Sequence, residues 1–272
     1  MLNIEILTLI AYGFFGGFLA GLLGVGGGVI YILILPLMLT GAGVCETEIV
    51  KYTIANSVFA IFIASLSGNI INIKNKSFYA KEIFSIGLPA ALFSILAMVF
   101  VVSQNWYSKD VFNGLVIFLL AFMLIKMVFS KNLKGVEKSI SNKGLTVIGS
   151  FSGIVSALTG LGGGILVVPL LQSFYGMEIK KAKNISLGVI GVMAFSLSVY
   201  NFWAQPNCFA NEYQIGLIVL PTVLLMIIGV MLGSPAGVWI SGKLKPDHIK
   251  IIFILLLASV IIRKLLALFS LF

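Results

Sequence analysis

The chain has 272 residues, of which 60% are hydrophobic and only 10% are charged. This composition excludes an ordinary soluble domain and indicates a protein built from many membrane-spanning segments. The net charge of +9 comes from 18 Lys and Arg against 9 Asp and Glu. The basic residues are scattered over short loops between apolar stretches, a pattern that predicts membrane orientation and not nucleic-acid binding.

The apolar stretches follow one another along the whole chain with short connections. Because a spanning helix needs roughly 20 apolar residues, we predict an all-α polytopic membrane protein with about 8–10 membrane segments. The second and seventh stretches are short for a crossing. In chain order the stretches are Ile4–Leu23, Val29–Leu39, Val50–Ile73, Ile83–Val102, Val111–Phe129, Leu145–Leu158, Ile165–Tyr175, Ile185–Trp203, Tyr213–Ile240 and Ile249–Phe272.

Lysines collect in four of the connecting loops, which by the positive-inside rule face the cytoplasm. These loops are centred on residues 74–81, 131–143, 180–183 and 243–250. The connections near 45–48, 103–108 and 205–212 then face outward. We therefore predict a multi-pass plasma-membrane protein with a cytoplasmic basic linker at 131–143. The linker would separate a first transmembrane repeat, residues 1–130, from a second, residues 144–272.

The two parts of the chain share landmarks in the same order. GVGGG at 24–28 returns as GLGGG at 160–164, and Pro89 and Pro221 fall in the middle of corresponding predicted stretches. The loop after the first cluster carries glutamates, whereas the loop after the second carries lysines, so equivalent loops lie on opposite sides of the membrane. We predict two inverted-topology repeats, which in transporters place the substrate site near the midplane where the halves meet.

Each glycine cluster interrupts a stretch that otherwise favours helix. A glycine costs a helix roughly 1 kcal/mol relative to alanine, so four in five residues predict a chain break. Freed backbone N–H groups are tolerated in a membrane only where they are buried in protein or line a cavity. A helix starting near Gly28 or Gly164 would direct its N-terminal N–H groups into that cavity. We predict an anion site here, with a purely structural break as the alternative; its glycines are Gly24, Gly26, Gly27, Gly28, Gly160, Gly162, Gly163 and Gly164. Ahead of the first cluster, the spacing of Gly13, Gly17 and Gly21 predicts close helix packing.

The stretch after each glycine unit begins with polar residues, KYTIANS at 51–57 and KKAKNIS at 180–186. In a rough alignment, Asn56 and Ser57 match Asn184 and Ser186. Their amides and hydroxyls are able to donate to an oxyanion, although such residues also form interhelical hydrogen bonds. We assign these four side chains to the predicted substrate site. We also predict that Lys51 and Lys183 attract the anion. The alternative is that both side chains only extend to the membrane interface.

Several chemistries lack the residues they require. All nine acidic residues lie in loops or near predicted span ends, so no carboxylate is expected within the membrane to relay protons or hold sodium. His248 is the only histidine, and neither glycine cluster continues to the G-x-G-x-x-G fingerprint. We expect no enzyme activity, no cofactor and no metal. Cys45 and Cys208 fall on predicted outward loops; we expect two unrelated loop cysteines, with a disulfide as the alternative.

With the paired units GLLGVGGG and SALTGLGGG and the ANS and NIS span starts, the chain resembles the TauE/SafE sulfite exporter family over nearly its whole length. The resemblance implies transport of small sulfur-containing anions such as sulfite, sulfoacetate or related sulfonates, usually outward across the plasma membrane. Such oxyanions suit a glycine-lined site without carboxylates.

We therefore expect an exporter of small sulfur-containing oxyanions that works by alternating access around a midplane site. The alternatives are an anion channel and a membrane scaffold or accessory subunit that transports nothing. The expected partners are a small anionic substrate and the lipid bilayer, with no nucleic acid; a homodimer stays open.

Overall fold

The computed structural model describes the backbone of residues 2–104, 106–129, 141–210 and 213–269. Within these ranges the chain forms ten α-helices and one short antiparallel β pair. The helices are α1 (Leu2–Leu23), α2 (Gly28–Gly41), α3 (Ile49–Lys74), α4 (Ala80–Ala97), α5 (Lys109–Phe129), α6 (Asn142–Thr159), α7 (Gly164–Tyr175), α8 (Ile179–Trp203), α9 (Leu220–Lys243) and α10 (Pro246–Phe269). A π-helical turn, Met98–Val102, extends α4. The strands are β1 (Gln214–Ile215) and β2 (Ile218–Val219).

Six of the described helices are long and apolar enough to cross a membrane: α1, α3, α4 with its π-helical turn, α5, α8 and α9. The predicted all-α polytopic membrane architecture is therefore confirmed. Helices α2 and α7 have only 14 and 12 residues. At 1.5 Å per residue they are about 21 and 18 Å long, short of the ~30 Å hydrocarbon layer. Most of the predicted linker, 131–143, lies outside the described residues.

Large apolar side chains also point away from the protein along the long helices. Leu88, Leu92 and Phe118 are 60%, 58% and 67% exposed. A soluble protein rarely leaves such contiguous apolar surface open, whereas lipid covers it at no cost.

The contacts of α1–α5 recur in α6–α10 with the halves exchanged. Helix α1 packs along α9, and α6 packs along α4; α3 contacts α8, and α5 contacts α10. Helices α3 and α8 run antiparallel, because Ser65 on α3 donates to the Leu187 carbonyl (2.6 Å) while Phe59 packs edge-to-face against Phe202 (ring centroids 5.2 Å apart). The two helices that follow the glycine clusters and their short helices therefore cross each other in opposite directions.

The pairing of α1 with α9 depends on glycines of both helices. A Cβ on Gly17 would lie 2.8 Å from the Val230 carbonyl oxygen, and Cβ atoms on Gly13 and Gly21 would overlap the α9 backbone. On α9, the glycines at the interface also lie against the backbone of α1; they are Gly229, Gly233 and Gly237. The prediction that Gly13, Gly17 and Gly21 allow close helix packing is confirmed. Small residues allow membrane helices to approach each other in this way.

The predicted stretch Tyr213–Ile240 is wrong at its beginning. Residues 214–219 form the β1–β2 pair with Gly216 at φ 58°, and α9 starts only at Leu220. Pro221 thus lies in the first turn of α9, where its missing N–H costs nothing, and not in the middle of a helix. Apolar composition alone did not distinguish this buried pair from helix, since Leu217, Ile218 and Val219 are all buried.

The expectation that the two cysteines are unrelated is also wrong. A disulfide joins Cys45, just before α3, to Cys208 in the connection between α8 and α9. The neighbouring Glu48 carboxylate is buried and accepts the backbone N–H groups of Asn207 (2.9 Å) and Cys208 (3.0 Å). Both contacts fasten the second half of the chain to the first.

Candidate functional site

The two glycine clusters form the same backbone turn. The first, third and fourth residues of each cluster adopt positive φ angles, which only glycine tolerates readily. The angles are 69°, 93° and 73° at Gly24, Gly26 and Gly27, and 66°, 84° and 66° at Gly160, Gly162 and Gly163. Helices α1 and α6 end before these turns, and α2 and α7 begin at Gly28 and Gly164. The predicted chain breaks and helix starts are confirmed.

The two turns lie against each other at the centre of the protein, and all eight cluster glycines are buried. A Cβ on Gly28 would lie 2.6 Å from the Gly160 carbonyl oxygen, and a Cβ on Gly164 would overlap the Gly24 carbonyl oxygen. Ile61, in the middle of α3, covers both Gly26 and Gly162. Neither turn has room for a side chain. Backbone of the other half fills the space at Gly28 and Gly164, and backbone of the preceding helix fills it at Gly27 and Gly163.

Two serines tie each turn to the opposite half in the same way. Ser57 of α3 donates to the Gly160 carbonyl at 2.7 Å, and Ser186 of α8 donates to the Gly24 carbonyl at 2.6 Å. The structure therefore matches Ser57 with Ser186, as predicted. One residue earlier this register places Asn56 opposite Ile185, so the predicted match of Asn56 with Asn184 is wrong by one position.

The backbone N–H groups at the turns are mostly unused. Those of Gly26, Gly27, Gly28, Gly162 and Gly163 find no hydrogen-bond acceptor within the described part of the chain. They precede or open α2 and α7, whose dipoles add positive potential at the same ends. Buried donors of this kind normally have a partner, so the centre of the protein offers several N–H groups to an acceptor.

Asn56 is used differently from the serines. Its amide nitrogen donates to the carbonyls of Tyr52 (2.8 Å) and Leu217 (3.0 Å), and its side-chain oxygen accepts the N–H of Val219 (2.9 Å). The bonds to Leu217 and Val219 thus hold α3 to the β1–β2 pair, and the bond to Tyr52 lies within α3. Any role of Asn56 in substrate binding requires that this pair moves away.

The two predicted anion-attracting lysines have unlike surroundings. Lys51 forms an ion pair with Glu48 at 3.1 Å, which neutralises its charge. Lys183 is only 4% exposed and donates to the half-buried Asn184 side-chain oxygen at 2.8 Å. In the described part of the chain Lys183 forms no ion pair with a carboxylate. Its backbone lies against Gly24, whereas its ammonium group contacts the Asn184 side chain.

Sequence reasoning missed two further polar side chains beside the second turn. Ser152 and Ser156 are buried on α6, and neither hydroxyl has a hydrogen-bond partner. The Ser152 carbonyl would lie 2.8 Å from a Cβ on Gly163. The only signal in the sequence is the four-residue spacing of these serines within an apolar stretch, which equally describes helix packing. No group of three or more His, Cys, Asp and Glu side chains in the described ranges is arranged to hold a metal ion.

The family model for the sulfite exporter TauE/SafE matches residues 9–264 of the chain. A probable membrane transporter protein of Methanocaldococcus jannaschii is 29% identical over 244 residues, covering 89% of each chain. A probable membrane transporter protein of Haemophilus influenzae is 28% identical over 277 aligned positions, covering 96% of this chain and 98% of the relative. No solved structure matches the chain.

Proposed function

Since the chain belongs to the TauE/SafE sulfite exporter family, a family of membrane transporters, we propose that it exports small sulfur-containing oxyanions, such as sulfite or organosulfonates. The substrate binds between the two glycine turns, at the starts of α2 and α7. The observation that carries this proposal is the meeting of two equivalent turns whose buried N–H groups lack acceptors.

The chemistry of these turns suits an oxyanion. Backbone N–H groups at helix N-termini are donors without a permanent charge of their own, and the helix dipole favours a negative ligand. The serine hydroxyls of Ser57 and Ser186 already contact both turns, so they can exchange a carbonyl partner for a substrate oxygen. We assign Lys183, whose backbone lies against Gly24, to attracting the anion towards this centre.

The antiparallel crossing of α3 and α8 supports inverted-topology repeats, in which one half rocks against the other to expose the site alternately. The structure has the turns closed on each other, as a state between the two access states would. A continuous anion channel would instead need an open path between the turns, so we favour a carrier.

Two independent features support one orientation in the plasma membrane. The lysine-rich loops face the cytoplasm by the positive-inside rule. The Cys45–Cys208 disulfide then lies on the outer face, the side on which disulfides form and persist. With the interior negative, outward movement of a monoanion is favoured by about 2.3 kcal/mol per 100 mV, so export needs no coupled ion gradient.

Counterflow in proteoliposomes tests the proposal. Vesicles containing the purified protein are loaded with unlabelled sulfite, sulfonate, thiosulfate or sulfate and then given labelled sulfite outside. We expect labelled sulfite to accumulate against loaded sulfite or sulfonate, and not in protein-free vesicles. Absence of anion exchange under every loading would refute a transporter and favour the scaffold alternative.

A further inference from the structure

A second group of buried polar side chains lies away from the glycine turns, towards the disulfide. Asn201 is completely buried on α8, and neither its side-chain oxygen nor its nitrogen has a hydrogen-bond partner. Ser198, one turn earlier on the same helix face, and Thr53 on α3 are 2% and 1% exposed, and their hydroxyls also lack partners. Buried polar atoms are nearly always hydrogen-bonded, so such a group requires an explanation.

Leu217, in the turn between β1 and β2, brings these residues together. Its N–H donates to the Asn201 backbone carbonyl at 3.0 Å, and its carbonyl accepts the amide of Asn56 at 3.0 Å. Thr53 precedes Asn56 by three residues and therefore lies one turn away on the same face of α3. Leu217 therefore joins the part of α8 that carries Asn201 and Ser198 to the part of α3 that carries Thr53.

The Asn201 side chain is not needed to hold this turn. Asn56 contacts the β1–β2 pair with all its side-chain polar groups, whereas Asn201 does so only through its backbone carbonyl. The residue that occupies the same register position in the first half, Asn72, donates to Asn69 at 3.1 Å within α3. At these two matched positions, only the one in the second half has a free carboxamide.

We propose that Asn201, with Ser198 and Thr53, forms a second substrate subsite that selects the protonated monoanion of a weak oxyacid, such as hydrogen sulfite. This subsite rests on the proposed transport function and lies between the glycine turns and the disulfide. A carboxamide offers both a donor and an acceptor. Hydrogen sulfite matches both, since its oxygens accept from the Asn201 nitrogen and its O–H donates to the Asn201 oxygen. The two hydroxyls donate to the remaining oxygens.

A fully ionised oxyanion or an alkyl sulfonate has no O–H group and would leave the Asn201 oxygen unpaired. A site that hydrogen-bonds a substrate group binds analogues without that group less tightly, because a buried polar atom then loses its partner. We therefore expect organosulfonates to be carried with lower affinity than sulfite. The subsite therefore acts on substrate choice, which the symmetric glycine turns do not explain.

The test compares wild type with Asn201→Leu, which has a similar shape but no polar atoms, in sulfite counterflow with methanesulfonate as competitor. We expect the KM for sulfite to rise about tenfold, while inhibition by methanesulfonate changes less than about twofold. Thermal stability without substrate should not fall, because an unsatisfied buried amide is removed. The control, Ser196→Ala, removes a hydroxyl on the same helix that bonds its own backbone, and should leave both readings unchanged.

Ser198→Ala provides a second variant if Asn201→Leu does not fold, and should raise the KM for sulfite about threefold or more. An unchanged KM in an active variant, or an equal loss for sulfite and methanesulfonate, would overturn the subsite and leave the proposed function standing. Lower stability with unchanged KM would show that Asn201 holds only solvent or structure, which also overturns it. A wild-type protein that exchanges no anion would refute the proposed function and the subsite together.

Discussion

The two glycine turns at the centre of the protein are alike, whereas the α3–α4 connection and the α8–α9 connection are not. At the centre, both glycine turns have the same φ pattern and the same serine contact from the opposite half. The connections do not match: α3 and α4 are joined by the five residues 75–79, whereas α8 and α9 are joined by the sixteen residues 204–219. Only the longer one carries a disulfide and the β1–β2 pair.

This difference suggests separate roles: the centre would bind the substrate, and the connections would control access to it from each side of the membrane. A carrier that presents one site to both sides of a membrane needs a symmetric centre, because the same donors must serve both access states. Its two entrances are free to differ. The 204–219 connection contacts Cys45, Glu48 and Asn56. In the carrier that we propose, these contacts would make one entrance the more firmly closed.

Substitutions in the turns should have the largest effect. Gly27→Ala and Gly163→Ala place a Cβ at positive φ, which costs about 1–2 kcal/mol before any collision with backbone. Gly27→Ala also overlaps the Gly16 carbonyl. We expect both variants to lose nearly all sulfite counterflow. Gly114→Ala is the matched control, since a Cβ there meets no atom within 4 Å, and it should retain transport. Normal transport by either turn variant would show that the turns are not the site.

The disulfide should make the next largest contribution. The disulfide links two cysteines that are 163 residues apart in the sequence. Its loss in the Cys45→Ser, Cys208→Ser variant opens this loop, and we expect the free energy of unfolding to fall by about 2–5 kcal/mol. Thermal unfolding in detergent, with and without reductant, measures this. If the 204–219 connection closes one entrance, the variant should also exchange sulfite faster from the disulfide side. Equal rates from both sides would remove the distinction between the entrances.

Glu48 tests the same connection without altering the cysteines. Glu48→Ala leaves Lys51 and two backbone N–H groups without their acceptor, so we expect a loss of about 2–4 kcal/mol in thermal unfolding. Glu46→Ala is the control: its carboxylate is 83% exposed, 4.0 Å from Lys109, and should matter by less than about 0.5 kcal/mol. Similar losses in both would mean that the buried carboxylate does not fasten the connection.

The smallest effect tests the symmetry of the centre. Ser57→Ala and Ser186→Ala each remove one buried hydrogen bond to the opposite turn, and each should cost about 1 kcal/mol. Transport should fall by a similar factor in the two variants. A loss confined to one serine would contradict a centre in which both halves contribute alike.

The central turns could be predicted from the sequence because glycine clusters act locally. The φ angles at Gly26 and Gly162 favour glycine over every other residue type, so the chain break and the helix start can be predicted from the sequence alone. The match of Ser57 with Ser186 could be predicted because the two parts of the chain repeat the same motifs. The connection near 205–212 could also be predicted, but its continuation over 213–219 could not, because its apolar residues are equally typical of a helix. The positions of two cysteines in the sequence do not say whether they meet in space. The free side chains of Asn201 and Ser152 depend on packing between helices, which composition does not specify.

Accessibility of the two turns tests the central claim most directly. Single cysteines at Val25 and Leu161 are treated in vesicles with a small anionic thiol reagent that spares the native disulfide, with and without sulfite. If one anion site lies between the turns, both cysteines should react, and sulfite should protect both with the same concentration dependence. If both positions are unreactive from either side, or if sulfite protects only one, the two turns do not form a common anion site.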